Sequence, residues 1–158
     1  MKALRLCLVS LALCLSGLAG CSSRGSIGGL NVTIVDIKPA AATAPAGQAV
    51  LTLRFTNENV VAIGLDSSTH QLFLNGTRVG KAESSTPLGL PSMAAATQAV
   101  TVQFDNPALV QQLANDAGKN TASYQLLSEM LVKDGDDKYV VKATEKGALD
   151  LRPLAAGK

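Results

Sequence analysis

Val50-Leu51-Thr52-Leu53-Arg54-Phe55-Thr56-Asn57-Glu58-Asn59 is the stretch that decides the fold. Leu51, Leu53 and Phe55 alternate with Thr52, Arg54 and Thr56. Successive side chains of a strand point to opposite faces, so this run reads as a strand with one buried and one wet face. It stops at Asn57-Glu58-Asn59. Asparagine side chains bond nearby backbone groups and tolerate left-handed φ, which ends a strand and sets a tight turn.

The same alternation recurs on both sides. Upstream, Leu30, Val32 and Ile34 alternate with Asn31 and Thr33, and the run continues to Lys38-Pro39. Residues 40–47 (AAATAPAG) lack a periodic polar face and end in Pro-Ala-Gly, so they read as a loop. Downstream, Val60–Ile63 is a short apolar piece. Gln71–Leu74 then leads into Asn75-Gly76, and Thr77–Ala82 leads out. Asn-Gly between two such runs is the strongest short signal for a hairpin, since a type I′ turn needs positive φ at both residues. A loop through Pro87 and Pro91 follows, and Val100, Val102 and Phe104 alternate with Thr101 and Gln103. Leu51, Leu53, Phe55, Val100, Val102 and Phe104 are thus expected to be buried on facing strands.

One helix interrupts the pattern, at about 106–117. Asn106 can cap it, Pro107 suits its first position, and Leu109, Val110, Leu113, Ala114 and Ala117 form an apolar stripe. Gly118 ends it. Two long β runs, Ser123–Lys133 and Lys138–Leu151, close the domain around the turn Asp134-Gly135-Asp136-Asp137. The expected fold is mainly β: an antiparallel β-sandwich of about seven strands with one short α-helix. Residues 152–158 read as a disordered tail.

The amino terminus reads differently. Lys2 and Arg5 precede an uncharged apolar run, Leu6–Leu18, and Leu18-Ala19-Gly20-Cys21 resembles a bacterial lipobox. The run is shorter than the roughly 20 residues of a spanning helix, and an ordinary secretory signal has no need of Cys21. Residues 1–20 are therefore read as a lipoprotein signal peptide, cut between Gly20 and Cys21. Cys21 is the site of lipid attachment. Two or three acyl chains hold a protein on a bilayer far more firmly than one, each buried methylene contributing about 0.8 kcal/mol. Residues 21–29 form the lipidated terminus and a glycine-rich tether, and 30–151 the folded domain. Eight residues of such coil reach on the order of 15 Å. Serine at position 22 favours an outer-membrane location facing the periplasm, within a bacterial envelope.

Composition excludes several classes. Lys2 and Arg5 leave with the signal, so the basic and acidic residues of the remaining chain balance in number. No basic patch points to nucleic acid. Cys7 and Cys14 also lie in the signal, so the domain keeps neither a disulfide nor a free thiol nucleophile. Its stability must come from an aliphatic core, since the sequence holds no Trp, three Phe and two Tyr.

The order of the elements resembles the LEA-2 family, also called the WHy (water stress and hypersensitive response) domain. There, an alternating strand ends in an Asn-Pro-Asn motif. An apolar segment, a strand into an Asn-Gly hairpin, a loop and a further strand follow. Here the matching pieces are Val50–Asn59, Leu72-Phe73-Leu74-Asn75-Gly76-Thr77-Arg78-Val79-Gly80 and Val100–Phe104. The resemblance covers about residues 30–150. Glu58 stands where the family usually has proline, while Asn57 and Asn59 remain as the family motif, with a structural role available through turn chemistry.

No catalytic or metal constellation emerges. His70 is the single histidine, and beside Thr69 and Gln71 it reads as a surface or strand-end residue. Asp134, Asp136 and Asp137 lack the distal Glu and flanking helices of an EF-hand, and a hairpin turn accounts for them. No cofactor, metal or enzymatic activity is expected. The resemblance implies a non-enzymatic envelope lipoprotein that protects in desiccation, osmotic or other stress through weak contacts with client or envelope proteins. A binding or assembly module, for an envelope partner or a lipid-like ligand, is the alternative. A cavity of several hundred Å³ lined by aliphatics would favour ligand carriage.

Overall fold

The structure is a computed structural model describing residues 28–116 and 120–155. Eight strands run in the order β1 (Leu30–Pro39), β2 (Gln48–Asn57), β3 (Ile63–Leu74), β4 (Thr77–Ser84), β5 (Leu88–Leu90), β6 (Ala94–Phe104), β7 (Thr121–Asp134) and β8 (Asp137–Asp150). Helix α1 (Pro107–Asn115) lies between β6 and β7, and a short α2 (Arg152–Ala155) follows β8. The strands pair antiparallel in the order β1-β2-β6-β4-β3-β7-β8, with β5 attached to β3. The edge strands β1 and β8 pack against each other, so the sheet curls round nearly into a barrel. Tyr124 on β7 reaches across the closure, its hydroxyl accepting from the Ile34 backbone N–H of β1 at 3.4 Å.

The deciding strand behaves as its alternation requires. Ala49, Leu51, Leu53, Phe55 and Asn57 point inward and are fully buried. Val100 and Val102 of β6 are buried too, but not on a strand facing β2. They are its hydrogen-bonded neighbours, Leu51 pairing with Val100 and Ala49 with Val102. The correction follows from topology: β6 returns beside β2, so both strands feed the core from one side of the curl.

The strand count and some boundaries also differ from expectation. β3 runs through residues 63–74 rather than in two fragments. Ser68 and His70 face inward in it, and polar residues at core positions break the apolar pattern. A bulge between Leu65 and Ser67 resets the phase. Between the two prolines of the expected loop, Leu88–Leu90 pairs with Ile63–Leu65 as β5. Residues 94–99, rich in alanine, are strand because β2 supplies a complete ladder for them.

The hairpin turn between β3 and β4 follows the sequence closely. Asn75 has φ 50° and Gly76 φ 81°, both left-handed as a type I′ turn demands. Gly80 admits no side chain for a different reason: a Cβ there would stand 2.5 Å from the Gln103 carbonyl oxygen, where β4 crosses close to β6.

At the end of the sheet away from Asn57, the Asn106 side chain accepts from the Leu109 N–H at 3.1 Å and starts α1. Val110 and Ala114 bury the apolar stripe of that helix. The helix ends at Asn115, with Asp116 already extended; Ala117 and Gly118 lie outside the described residues. The expected tail at 152–158 is replaced in part by α2. Leu151 is buried, Leu154 and Ala155 pack on the core, and the Leu151 N–H donates to the Asn120 carbonyl at 2.7 Å. Apolar contact and these bonds order residues 152–155; residues 156–158 lie outside the described set. Residues 1–27, with the signal peptide, Gly20, Cys21 and most of the tether, also lie outside it.

Candidate functional site

The motif Asn57-Glu58-Asn59 sits where β2 ends, at the mouth of the curled sheet. Asn57 continues the inward phase of Leu51, Leu53 and Phe55, so its amide enters the core instead of solvent. There its nitrogen donates to the carbonyls of Val61 at 2.9 Å, Pro91 at 3.0 Å and Leu90 at 3.2 Å. Two N–H bonds serve three acceptors, so one is shared. Its oxygen accepts the Asn59 backbone N–H at 3.0 Å and the Asn59 side-chain amide at 2.9 Å. A single buried side chain thus ties the end of β2 to the 58–62 loop and to the loop after β5.

The surrounding backbone completes this knot. The Glu58 N–H donates to the Gly29 carbonyl at 2.7 Å, and the Met93 N–H donates to the Asn59 carbonyl at 3.0 Å. The Glu58 carboxylate accepts from the Asn31 side chain at 3.1 Å. Glu58 itself is exposed, so this position carries no buried charge. Both polar atoms of the buried Asn57 side chain are spent on the protein's own chain, which leaves the motif to hold loops in place.

A second polar cluster lies deeper, and the sequence reading misplaces it. His70 is not a surface or strand-end residue: it is 1% exposed. Its Nδ1 lies 2.8 Å from the Ser128 hydroxyl on β7, and its Nε2 lies 2.9 Å from the Ser68 hydroxyl two residues back on β3. Neutral imidazole offers one donor and one acceptor, so one serine accepts and the other donates. The Phe55 ring stands 6.0 Å away, tilted by 57°. Burial pulls the imidazole down to a pKa of about 4 from 6.5, so it stays uncharged at neutral pH. Ser68 and Ser128 are themselves 4% exposed, and no carboxylate bonds the ring among the described residues. A substrate has no approach to these atoms, and the cluster satisfies core polarity. The signal was present in the sequence: His70 lies in phase with Leu72 and Leu74, both buried.

Among the described residues, no group of three or more His, Cys, Asp or Glu side chains gathers as a metal site. Three of the surface hollows among the described residues stand out. One of about 260 Å³ lies between the 40–47 loop and α1, lined by Ala44, Pro45, Phe104, Pro107, Val110 and Leu154 among others. The others, of about 470 and 440 Å³, lie over outer strand faces among polar and charged residues such as Arg78, Lys81, Glu83, Glu129 and Lys142. The hollow beside α1, which Gln48 and Gln111 also line, is smaller than the roughly 300–1,000 Å³ common in ligand pockets, and the two larger ones lie over charged surface.

The fold and sequence can be set beside known proteins. The structure is similar to the solution structure of AT1g01470 from Arabidopsis thaliana, with a TM-score of 0.59 and 14% identity over 84% of this chain and 88% of that one. A crystal structure of a protein from Archaeoglobus fulgidus aligns with a TM-score of 0.44 and 16% identity, over 78% of this chain and 95% of that one. A solution structure of a protein described as late embryogenesis abundant, At2g46140.1, gives 0.42 and 13% identity, over 98% and 87%. No curated protein sequence matches the chain. The LEA_2 family model, described as late embryogenesis abundant protein, matches residues 52–131. That span runs from the deciding strand β2 through Leu131 of β7 and takes in both the Asn57–Asn59 knot and the Asn75-Gly76 hairpin; the chain belongs to the late embryogenesis abundant type 2 family.

Proposed function

We propose that this protein is a lipid-anchored lipoprotein of a bacterial envelope, held in the outer membrane and facing the periplasm, that protects other proteins or the envelope itself during water loss and related stress. It acts without catalysis, through weak and broad surface contacts. The observation that carries this reading is membership of the late embryogenesis abundant type 2 family across residues 52–131. The lipobox at Leu18–Cys21 supports the anchoring.

The outer surface suits such a role. Strands present Thr, Gln, Lys and Glu outward, and oppositely charged neighbours pair loosely, as Lys142 with Glu129 at 3.0 Å and Arg78 with Asp105 at 3.5 Å. Exposed pairs of this kind contribute little to stability, about 0–1 kcal/mol each. Their effect is a mixed, strongly hydrated surface that touches many partners without fusing to any. The test is a deletion strain exposed to drying and osmotic shock. Survival should fall, and should return with the wild-type gene but not with Cys21→Ser. Unchanged survival of the deletion strain under every such stress would count against the protective role. Full rescue by Cys21→Ser would count against the anchoring.

A further inference from the structure

Five large apolar side chains are exposed among the described residues, and three of them share one place. Val60 is 84% exposed, Met93 69% and Val61 44%. They come from two loops that the Asn57–Asn59 knot clamps together: Asn57 bonds the carbonyls of Val61 and Pro91, and Met93 bonds the Asn59 carbonyl. Ala62, also exposed, adds to the patch. Met93 has φ 53°, a left-handed conformation that side chains other than glycine, Asn and Asp rarely adopt. A chain in search of burial would turn such residues inward. Here the backbone is fastened so that they stand out.

The location of this patch identifies what it meets. The Gly29 carbonyl accepts from the Glu58 N–H, so the chain enters the domain beside Val60. Gly29 is eight residues from Cys21. An eight-residue coil averages on the order of 15 Å, well under the span of the domain along β2 and β6. An acyl group on Cys21 therefore brings this end of the sheet to the bilayer and turns α1, at the opposite end, away from it. We infer that Val60, Val61 and Met93 dip into the lipid surface on which the protein is anchored, so that the domain stands on the membrane in a fixed orientation instead of swinging on its tether. This inference rests on the lipid-anchored reading given above.

Charge narrows the kind of lipid. Glu58 borders the patch, and the turn Asp134-Gly135-Asp136-Asp137 projects at the same end, since Lys133 just before it pairs with Gly64 near the start of β3. Lys133 and Lys138 flank that turn but are taken up by Asp66, at 2.9 and 3.7 Å, and no lysine or arginine stands between residues 55 and 77 or between 82 and 118. A surface rich in zwitterionic phosphatidylethanolamine suits these side chains, and a strongly anionic one repels them.

The absence of tryptophan from the sequence makes the test direct. Full-length lipidated protein carrying Val60→Trp, Met93→Trp or, as a reference on α1, Gln112→Trp is reconstituted into phosphatidylethanolamine-rich vesicles. Some of the vesicle lipid is brominated near the head group. Apolar side chains of interfacial segments sit roughly 5–10 Å into the head-group boundary. The indole at 60 and at 93 should shift to the blue and lose intensity to bromine, and the indole at 112 should do neither. Flotation and mass spectrometry of the amino terminus report anchoring separately. Protein that floats with a lipidated Cys21, yet shows equal, unquenched emission at 60, 93 and 112, overturns the orientation while leaving the anchor intact. Protein that carries no lipid and does not float overturns both readings together.

Discussion

The Asn57 side-chain oxygen accepts two hydrogen bonds from Asn59, at 3.0 Å from its backbone nitrogen and 2.9 Å from its amide. Through the other end of the same amide, Asn57 holds three carbonyls. Replacing it with alanine strands those buried groups. Asn57→Ala should lose about 3 kcal/mol, in line with the 1–3 kcal/mol for each buried polar group left without a partner. Asn57→Asp should cost more, because a carboxylate offers the Val61, Leu90 and Pro91 carbonyls no donor and repels them. Asn59→Ala should cost less than either, since its amide is one of several groups on the knot. Urea denaturation of the three variants ranks them.

The β2 alternation makes a sharp contrast. Phe55 is fully buried and Thr52 is half-buried on the outer face. Phe55→Ala should cost roughly 3–5 kcal/mol, the usual range for a buried phenylalanine, and Thr52→Ala under about 1 kcal/mol. Thermal melts of both variants measure the difference. Equal losses would mean that the outer face of the strand is covered as deeply as the inner one.

His70 couples stability to pH in a direction set by its burial. In the unfolded chain the imidazole takes a proton near pH 6.5; in the fold it stays neutral down to about 4. The unfolded state therefore binds the extra proton between those values, and stability falls as pH drops through that window. It is whole above about pH 6.5 and levels off below about 4. The gap amounts to about 3 kcal/mol by linkage. Urea midpoints at pH 7.5 and 5.0 read the loss. His70→Phe should flatten that part of the profile whatever its own stability.

Processing tests the amino terminus. Cys21→Ser should block lipidation and leave uncut precursor, and an inhibitor of lipoprotein signal peptidase should do the same to the wild type. The electrophoretic band shows both effects. Membrane fractionation of the mature form should place it with the outer membrane.

Much of the fold was legible because most core positions obey a period of two. Leu51, Leu53 and Phe55, the Asn75-Gly76 turn and the Asn106-Pro107 helix start each carry their conformation in local residue chemistry. What stayed hidden had a shared cause: inward-facing polar residues. Ser68, His70 and Ser128 occupy core positions in pairs that satisfy one another across β3 and β7. An apolar pattern cannot reveal a partner that lies 58 residues away. The same holds for Asn57. Its place after Phe55 put it on the buried face, yet as a turn residue it read as the end of the strand. The pairing of β2 with β6, and of the short β5 with β3, depends on how the chain returns, which no single segment encodes. The α2 turn was missed because Leu151 and Leu154 find their burial only against a core assembled from distant strands.

The central claim, protection by contact without turnover, meets its most direct test in a drying assay. The chain from residue 22 onward is mixed with a labile enzyme at rising molar ratios, dried and rehydrated, and the enzyme's remaining activity and light scattering are recorded. Protection should rise with the ratio, level off near stoichiometric amounts, need no cofactor or nucleotide, and exceed that of an equal mass of an unrelated small β protein. No protection beyond that reference at any ratio, with one envelope protein instead co-purifying in fixed stoichiometry from cells, would contradict the account and establish an assembly module.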